Sequence, residues 1–235
     1  MVADDGPRET IRRNMKYERL APTLLYRDLQ QAVVKFLTSP SRDKRILDRC
    51  HADLEAAKER AANLTVKENA TYALRSLDVF EQSLNSLPIG GMLLKRAPVF
   101  KGYDIEGVKV SIQPTVLVEQ RRPRGKPLVG ALIVDTAKGT LPKTLEAAKK
   151  LTDGMTHAAY LLHELVSNVI ANDNEKPSTE HCMVFHTHRK ELVTSPENYR
   201  TMLRNTGAAC RGIARDWDTI TPPKSFDERY ARFRK

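Results

Sequence analysis

The chain has 235 residues, 40% apolar and 29% charged, and its 39 basic and 29 acidic side chains give a formal net charge of +10. That balance fits a water-soluble globular protein of one large domain or two small ones, and it excludes collagenous, low-complexity and membrane-spanning chains. Cys50, Cys182 and Cys210 are far apart with no CxxC pair, which excludes a zinc ribbon or a disulfide scaffold. With no apolar signal core at the N-terminus, the chain reads as a reduced, cytoplasmic protein. The cationic excess suits a polyanionic partner, and equally keeps a protein soluble.

Residues 1–15 are polar and read as disordered. From Pro22 to Leu37 a helix is predicted, with Leu25, Leu29, Ala32, Val33 and Phe36 on one face. Ser39-Pro40-Ser41 ends it, and a charged, exposed helix over 42–62 carries a thin stripe of Ile46, Leu47, Leu54 and Ala57. A third helix, Val66 to Leu87, buries Ala73, Leu77, Phe80, Leu84 and Leu87 and stops at Pro88 and Gly90-Gly91. Glu81 lies beside that apolar face.

The stretch from Val108 to Lys138 reads as two strands around a basic loop. Val108, Val110, Ile112, Val116 and Val118 alternate with polar residues, the pattern of one half-buried strand, and Pro114 marks an edge or bulge. Leu128 to Val134 is apolar almost throughout, as in a central strand covered on both faces. Between them Arg121, Arg122, Arg124 and Lys126 crowd cations at a hairpin tip, suited to gripping phosphates or to a solvated turn.

A long helix over 142–171 is predicted next, with Pro142 in its first turn and Leu145, Ala148, Leu151, Met155, Leu162 and Leu165 on its buried side. Two short strands, His181–His186 and Glu191–Thr194, flank a turn at Arg189-Lys190. A last helix over 197–217 is expected to bury Tyr199, Met202, Leu203, Ala209, Ile213 and Trp217. The tail interleaves Phe226, Tyr230 and Phe233 with arginines, a pattern for stacking and phosphate contact or for a short packed helix. Cys182, His186 and His188 share strand parity but lack a fourth zinc ligand. His163-Glu164 fails as a zincin helix, because Ser167 stands where the second histidine belongs. No glycine-rich phosphate loop and no GxSxG is present.

The element order predicts an α/β (α+β) fold with a central mixed sheet flanked by helices, the long helix being a crossover connection. The domain reading is a disordered 1–15, a helical extension over 16–95, an α/β core over 96–220 and a basic tail over 221–235.

Ile112-Gln113-Pro114-Thr115 on one strand, and a buried strand ending in Asp135 and Lys138, resemble the restriction-endonuclease-like, or PD-(D/E)xK, superfamily. Val110 to Thr115, Gly130-Ala131-Leu132 and the Ala209-Cys210 to Trp217 helix are also similar to a group of uncharacterised bacterial proteins. The resemblance covers roughly residues 66–195 and implies a restriction-endonuclease-like core that binds DNA or RNA and cleaves phosphodiesters with Mg²⁺. It implies Asp135 and Glu119 as metal ligands, Lys138 as charge stabiliser, and Glu119 or Glu81 as helper. The chain departs from the motif, however. Thr115 replaces the first acid, and two residues rather than one separate Asp135 from Lys138. Two functional readings follow: a nucleic-acid-binding protein that is also a metal-dependent nuclease if its irregular motif works, and a non-catalytic adaptor or subunit that binds a protein partner.

Overall fold

The computed structural model describes residues 26–136 and 142–221. The N-terminal segment, Lys138 and the aromatic-cationic tail lie outside the described residues. Two compact units divide the chain. The larger comprises Leu24–Tyr103 and Ser111–Met202, and the smaller holds Asp104–Val110 and the chain from Leu203.

In the larger unit, apolar residues at three- and four-residue steps drive the first helices. Helix α1 (Arg27–Thr38) buries Leu29, Ala32, Val33, Phe36 and Leu37. Helix α2 (Arg45–Glu59) buries only Leu47 and Cys50, as its thin stripe requires. Helix α3 (Leu64–Ser83) starts where the Asn63 side chain accepts from Val66 N–H, and it buries Ala73, Leu77 and Phe80. Strand β1 (Leu93–Arg96) follows.

The stretch predicted as one strand from Val108 is broken. Strands β2 (Tyr103–Ile105) and β3 (Val108–Val110) form a separate two-stranded sheet, while β4 (Val116–Gln120) joins a different one. The cause is local. Glu106 and Gly107 both have positive φ, the geometry of a tight hairpin turn, so β3 pairs backward with β2. Pro114 has no N–H to continue a ladder, and pairing resumes at Thr115, whose N–H bonds Leu132 O at 2.8 Å.

The main sheet has the order β1-β4-β5-β6-β7, where β5 is Leu128–Asp135, β6 is Lys176–His186 and β7 is Glu191–Thr194. All pairs are antiparallel except β5–β6, which is parallel. Helix α4 (Leu145–Leu165) makes the crossover that a parallel pair needs, closing with a π turn at Val166–Ile170. The protein is therefore α+β with a mixed five-stranded sheet flanked by helices.

Strand alternation splits the core into two layers. Leu94, Val116, Val118, Leu132, Val134, Met183 and Phe185 pack against α1, α2 and α3. Val129, Ala131, Cys182 and Val184 point the other way, where Met155, Ala159, Leu162 and Leu165 of α4 cover them. Helix α4 begins later than Pro142 suggests, because the Thr144 hydroxyl caps Ala147 N–H. Leu145 consequently sits in the first turn facing solvent, 92% exposed rather than buried.

In the smaller unit, helix α5 (Arg200–Asp216) turns small residues rather than large ones toward the β2–β3 turn. Gly207 lies beside Glu106, and a Cβ at Gly107 would stand 3.8 Å from Ala214 Cβ. The expected burial of Leu203 and Ala209 is therefore not observed: both are exposed, while Gly207 and Cys210 are buried. Among the described residues no helix is long and apolar enough to cross a membrane.

Gly130 holds the parallel pair together. Register slips between Val129 and Ala131, so that Pro177 and Cys182 of β6 are the flanking partners. A Cβ at Gly130 would overlap the His181 carbonyl. Gly130→Ala is expected to lower the unfolding free energy by at least about 3 kcal/mol, since neither backbone can yield. Gly154→Ala, on an α4 face with nothing within 4 Å, is expected to raise it by about 0.5–1 kcal/mol. Urea unfolding of both variants checks the pair.

Candidate functional site

Helix α1 has a second face. Opposite its buried stripe, Arg27, Gln30, Gln31, Val34 and Lys35 recur at helical spacing, and they form one wall of a cleft of about 770 Å³. The cleft opens at the ends of the central strands. Gln113, Pro114 and Thr115 lead into β4 there, and Ile133, Val134 and Asp135 finish β5. Arg96 and Val99 close one side, and Leu151, Met155 and Ala158 of α4 with Val184 of β6 supply an apolar floor.

The cleft is built by backbone locks. The Gln113 amide accepts from Phe100 N–H at 3.1 Å and donates to Pro98 O at 2.9 Å, pinning the 98–100 segment beside β4. The Thr115 hydroxyl accepts from Val134 N–H at 2.8 Å. In place of the motif's first acid stands a side chain whose oxygen is already engaged in the sheet.

Beyond Asp135 lies a knot of polar groups. Ser76 and Thr187 hydroxyls meet at 2.6 Å, Thr187 donates to Asp135 O at 3.0 Å, and Ser76 reaches Thr136 O at 3.4 Å. The His186 and His188 rings stand 6.3 Å apart beside it. Burial holds the His188 imidazole below its ordinary range, and His186 and Arg75 add to that, against the pull of Asp135. The shared strand parity read for Cys182, His186 and His188 does not extend to His188. β6 ends at His186, and Thr187–Arg189 is a short 3-10 turn closed by Lys190 at φ 54°. Cys182 is sealed in the core with its thiol pushed up to about 12 by burial, which leaves no thiolate for metal or nucleophilic chemistry.

The residues implied as a catalytic set are not gathered at one place. Asp135 lines the cleft. Glu119 pairs in register with Val129, six strand positions from Asp135, or about 20 Å at strand rise. It bonds Lys95 at 2.5 Å and lies 3.7 Å from Arg121, and the Lys95 hydrogen bond is the main cause holding its carboxyl below the usual range. Asp135 and Glu119 therefore cannot share one metal ion. Glu81 is exposed on α3, where burial and then Asp48 and Asp78 raise its carboxyl. These neighbours belong to α2 and α3, and Glu81 does not line the cleft.

The implied pair, Asp135 with Glu119, thus does not fit one Mg²⁺. Among the described residues the cleft offers one carboxylate, Asp135, the smallest number with which Mg²⁺ is held beside substrate oxygens. Nowhere among them do three His, Cys, Asp or Glu side chains come together to hold a metal.

The basic loop lies at the other end of β4 and β5. Arg121, Arg122, Arg124 and Lys126 are all exposed. Lys126 is tied to Asp173 O at 2.5 Å. The eight-residue strand β5 runs from this tip to Asp135, about 25 Å at strand rise. Comparison with protein families, curated proteins and solved structures finds no match to the chain. The α1 stripe is what sequence reasoning missed. Its signal was Arg27, Gln31 and Lys35 at four-residue steps, on the face opposite the apolar one.

Burial also sets a pH dependence. His163, His181 and His188 are all held below the ordinary imidazole range, with burial the first cause in each. The unfolded chain therefore takes up protons first. Their stabilisation is complete above the unfolded value of about 6.5 and is lost as pH falls below it through the folded values. His181, bonded to Ser178 Oγ at 2.8 Å and Gln120 Oε1 at 3.0 Å, offers the direct check. Wild type is expected to unfold at lower urea at pH 5.5 than at pH 7.5, and His181→Asn to lose less between the two.

Proposed function

We propose that this protein binds nucleic acid in the α1–α4 cleft of a restriction-endonuclease-like core, and that it binds without cutting. The observation that carries the reading is the place of the basic cleft. It lies where the second and third strands of the sheet end, the position at which the superfamily's motif would stand, and Arg27, Lys35 and Arg96 line it. The order of helix, three antiparallel strands, crossover helix and a fourth strand parallel to the third supports the core assignment. Fold alone does not assign an activity; the lining of the cleft is what supports this one.

Three cations on the rim of one cleft suit a phosphate backbone, because each neutralised phosphate releases counterions. Cleavage needs more. The hydroxyl at 115 accepts from Val134 N–H, the second implied ligand is about 20 Å away along the sheet, and Asp135 is the one carboxylate among the described residues of the cleft. The basic hairpin tip, about 25 Å from the cleft, adds a second grip for a strand long enough to reach it.

Electrophoretic and anisotropy titrations of labelled DNA and RNA, with Mg²⁺, with Mn²⁺ and with EDTA, test this. Reversing Arg27, Lys35 and Arg96 to Glu is expected to weaken binding at least about tenfold and to flatten the log affinity–log salt slope by about two to three. Arg122→Glu with Arg124→Glu is expected to matter only for longer strands. Metal-dependent cleavage lost in Asp135→Ala would establish the nuclease instead. An absence of salt-sensitive binding would leave the protein-partner reading.

A further inference from the structure

We infer that the cleft takes one unpaired nucleotide with its base inward, and so selects single-stranded or locally opened nucleic acid over intact duplex. This deepens the nucleic-acid reading above and rests on it. The cleft has two kinds of surface where a simple phosphate groove needs one. Its cations stand on α1 and β1, while its floor is an apolar strip of Ile133, Met155, Ala158 and Val184 from β5, α4 and β6. A phosphate backbone has no use for such a floor, but the flat face of a base does. Apolar side chains accept that face, and a methionine thioether adds favourable contact with an aromatic ring.

Size and polarity point the same way. About 770 Å³ lies within the range of about 300–1,000 Å³ typical of pockets that enclose one small ligand. Gln30 and Gln31 also line the cleft, and their amides both donate and accept and so match the mixed edge of a base. The carboxylate of Asp135, where β5 ends in the cleft, accepts only, so it suits an amino group or sugar hydroxyl and repels phosphate. That repulsion sorts the ligand, with phosphate at Arg27, Lys35 and Arg96 and the base on the floor. A base in a duplex keeps its faces stacked and its edge paired, so the pocket can be filled only by a nucleotide already free or taken out of the stack.

The test is fluorescence anisotropy of the full chain with three probes of one sequence: a 12-nucleotide single strand, its blunt duplex, and the duplex with a central mismatch bubble. Single strand and bubble are expected to bind at least about tenfold tighter than duplex. Ala158→Trp, which fills the floor, is expected to abolish that preference by lowering single-strand and bubble affinity to the duplex level. Gln31→Ala, on an exposed helix face away from the core, guards against a folding defect and is expected to weaken single-strand binding at least about threefold and to narrow the single-strand-over-duplex ratio. Equal affinity for all three probes, unmoved by Ala158→Trp and Gln31→Ala yet lost on reversing the three cations, would overturn this inference and leave nucleic-acid binding intact. Binding of adenosine monophosphate with no binding of any strand would overturn the strand as the source of the nucleotide. Failure of every probe would overturn both readings.

Discussion

The close approach of β5 and β6 at Gly130 is the constraint on which the architecture depends. Without a Cβ there, the His181 backbone enters space that any other residue would occupy. The bulge this permits absorbs the extra residues of β6 between Pro177 and Cys182 while the strands remain parallel. A parallel pair in turn demands a crossover, and α4 supplies it. Because α4 covers one face of β5 and α1 to α3 cover the other, β5 is shielded on both sides and its end carries Asp135 into the cleft.

The helices before the sheet share its core. Leu29, Val33, Phe36, Leu77 and Phe80 sit in one cluster with Val116, Leu132, Val134 and Phe185. Burying α1 along one stripe leaves the opposite stripe, Arg27 to Lys35, to form a wall of the cleft. The core stripe and the cleft wall are thus two faces of the same twelve-residue helix. The same holds at Thr115, whose hydroxyl accepts from Val134 N–H and so ties the start of β4 to the end of β5.

The two basic features of the central stretch have different standing. The hairpin cations are exposed at the far end of the sheet, and one of them is already tied to a backbone carbonyl. The cleft cations converge with amides and an apolar floor on a single open cleft. Convergence, rather than charge density along the chain, separates a candidate site from a solvated turn.

Local pattern was enough for the elements that bury one clear stripe. Ala73, Leu77 and Phe80 announce α3, and the apolar run from Leu128 announces a central strand, because helical and strand periodicities survive in the sequence whatever they pack against. Local pattern failed where a long-range choice decided the outcome. Val108 to Val118 alternates like one strand, yet the turn at Glu106-Gly107 and the missing N–H of Pro114 divide it between two sheets. The burial of α5 was misjudged because its contact face is chosen by the Glu106–Gly107 turn and favours Gly207 over Leu203. The sequence by itself determined where the helices and the central strand lie to within a few residues, and that the chain carries a cationic excess. Only the tertiary structure decided that Glu119 and Asp135 lie at opposite ends of the sheet and that Arg27, Lys35, Arg96 and Asp135 face one cleft. Side-chain period is local, but which side chains meet is set by strand register and by the crossover.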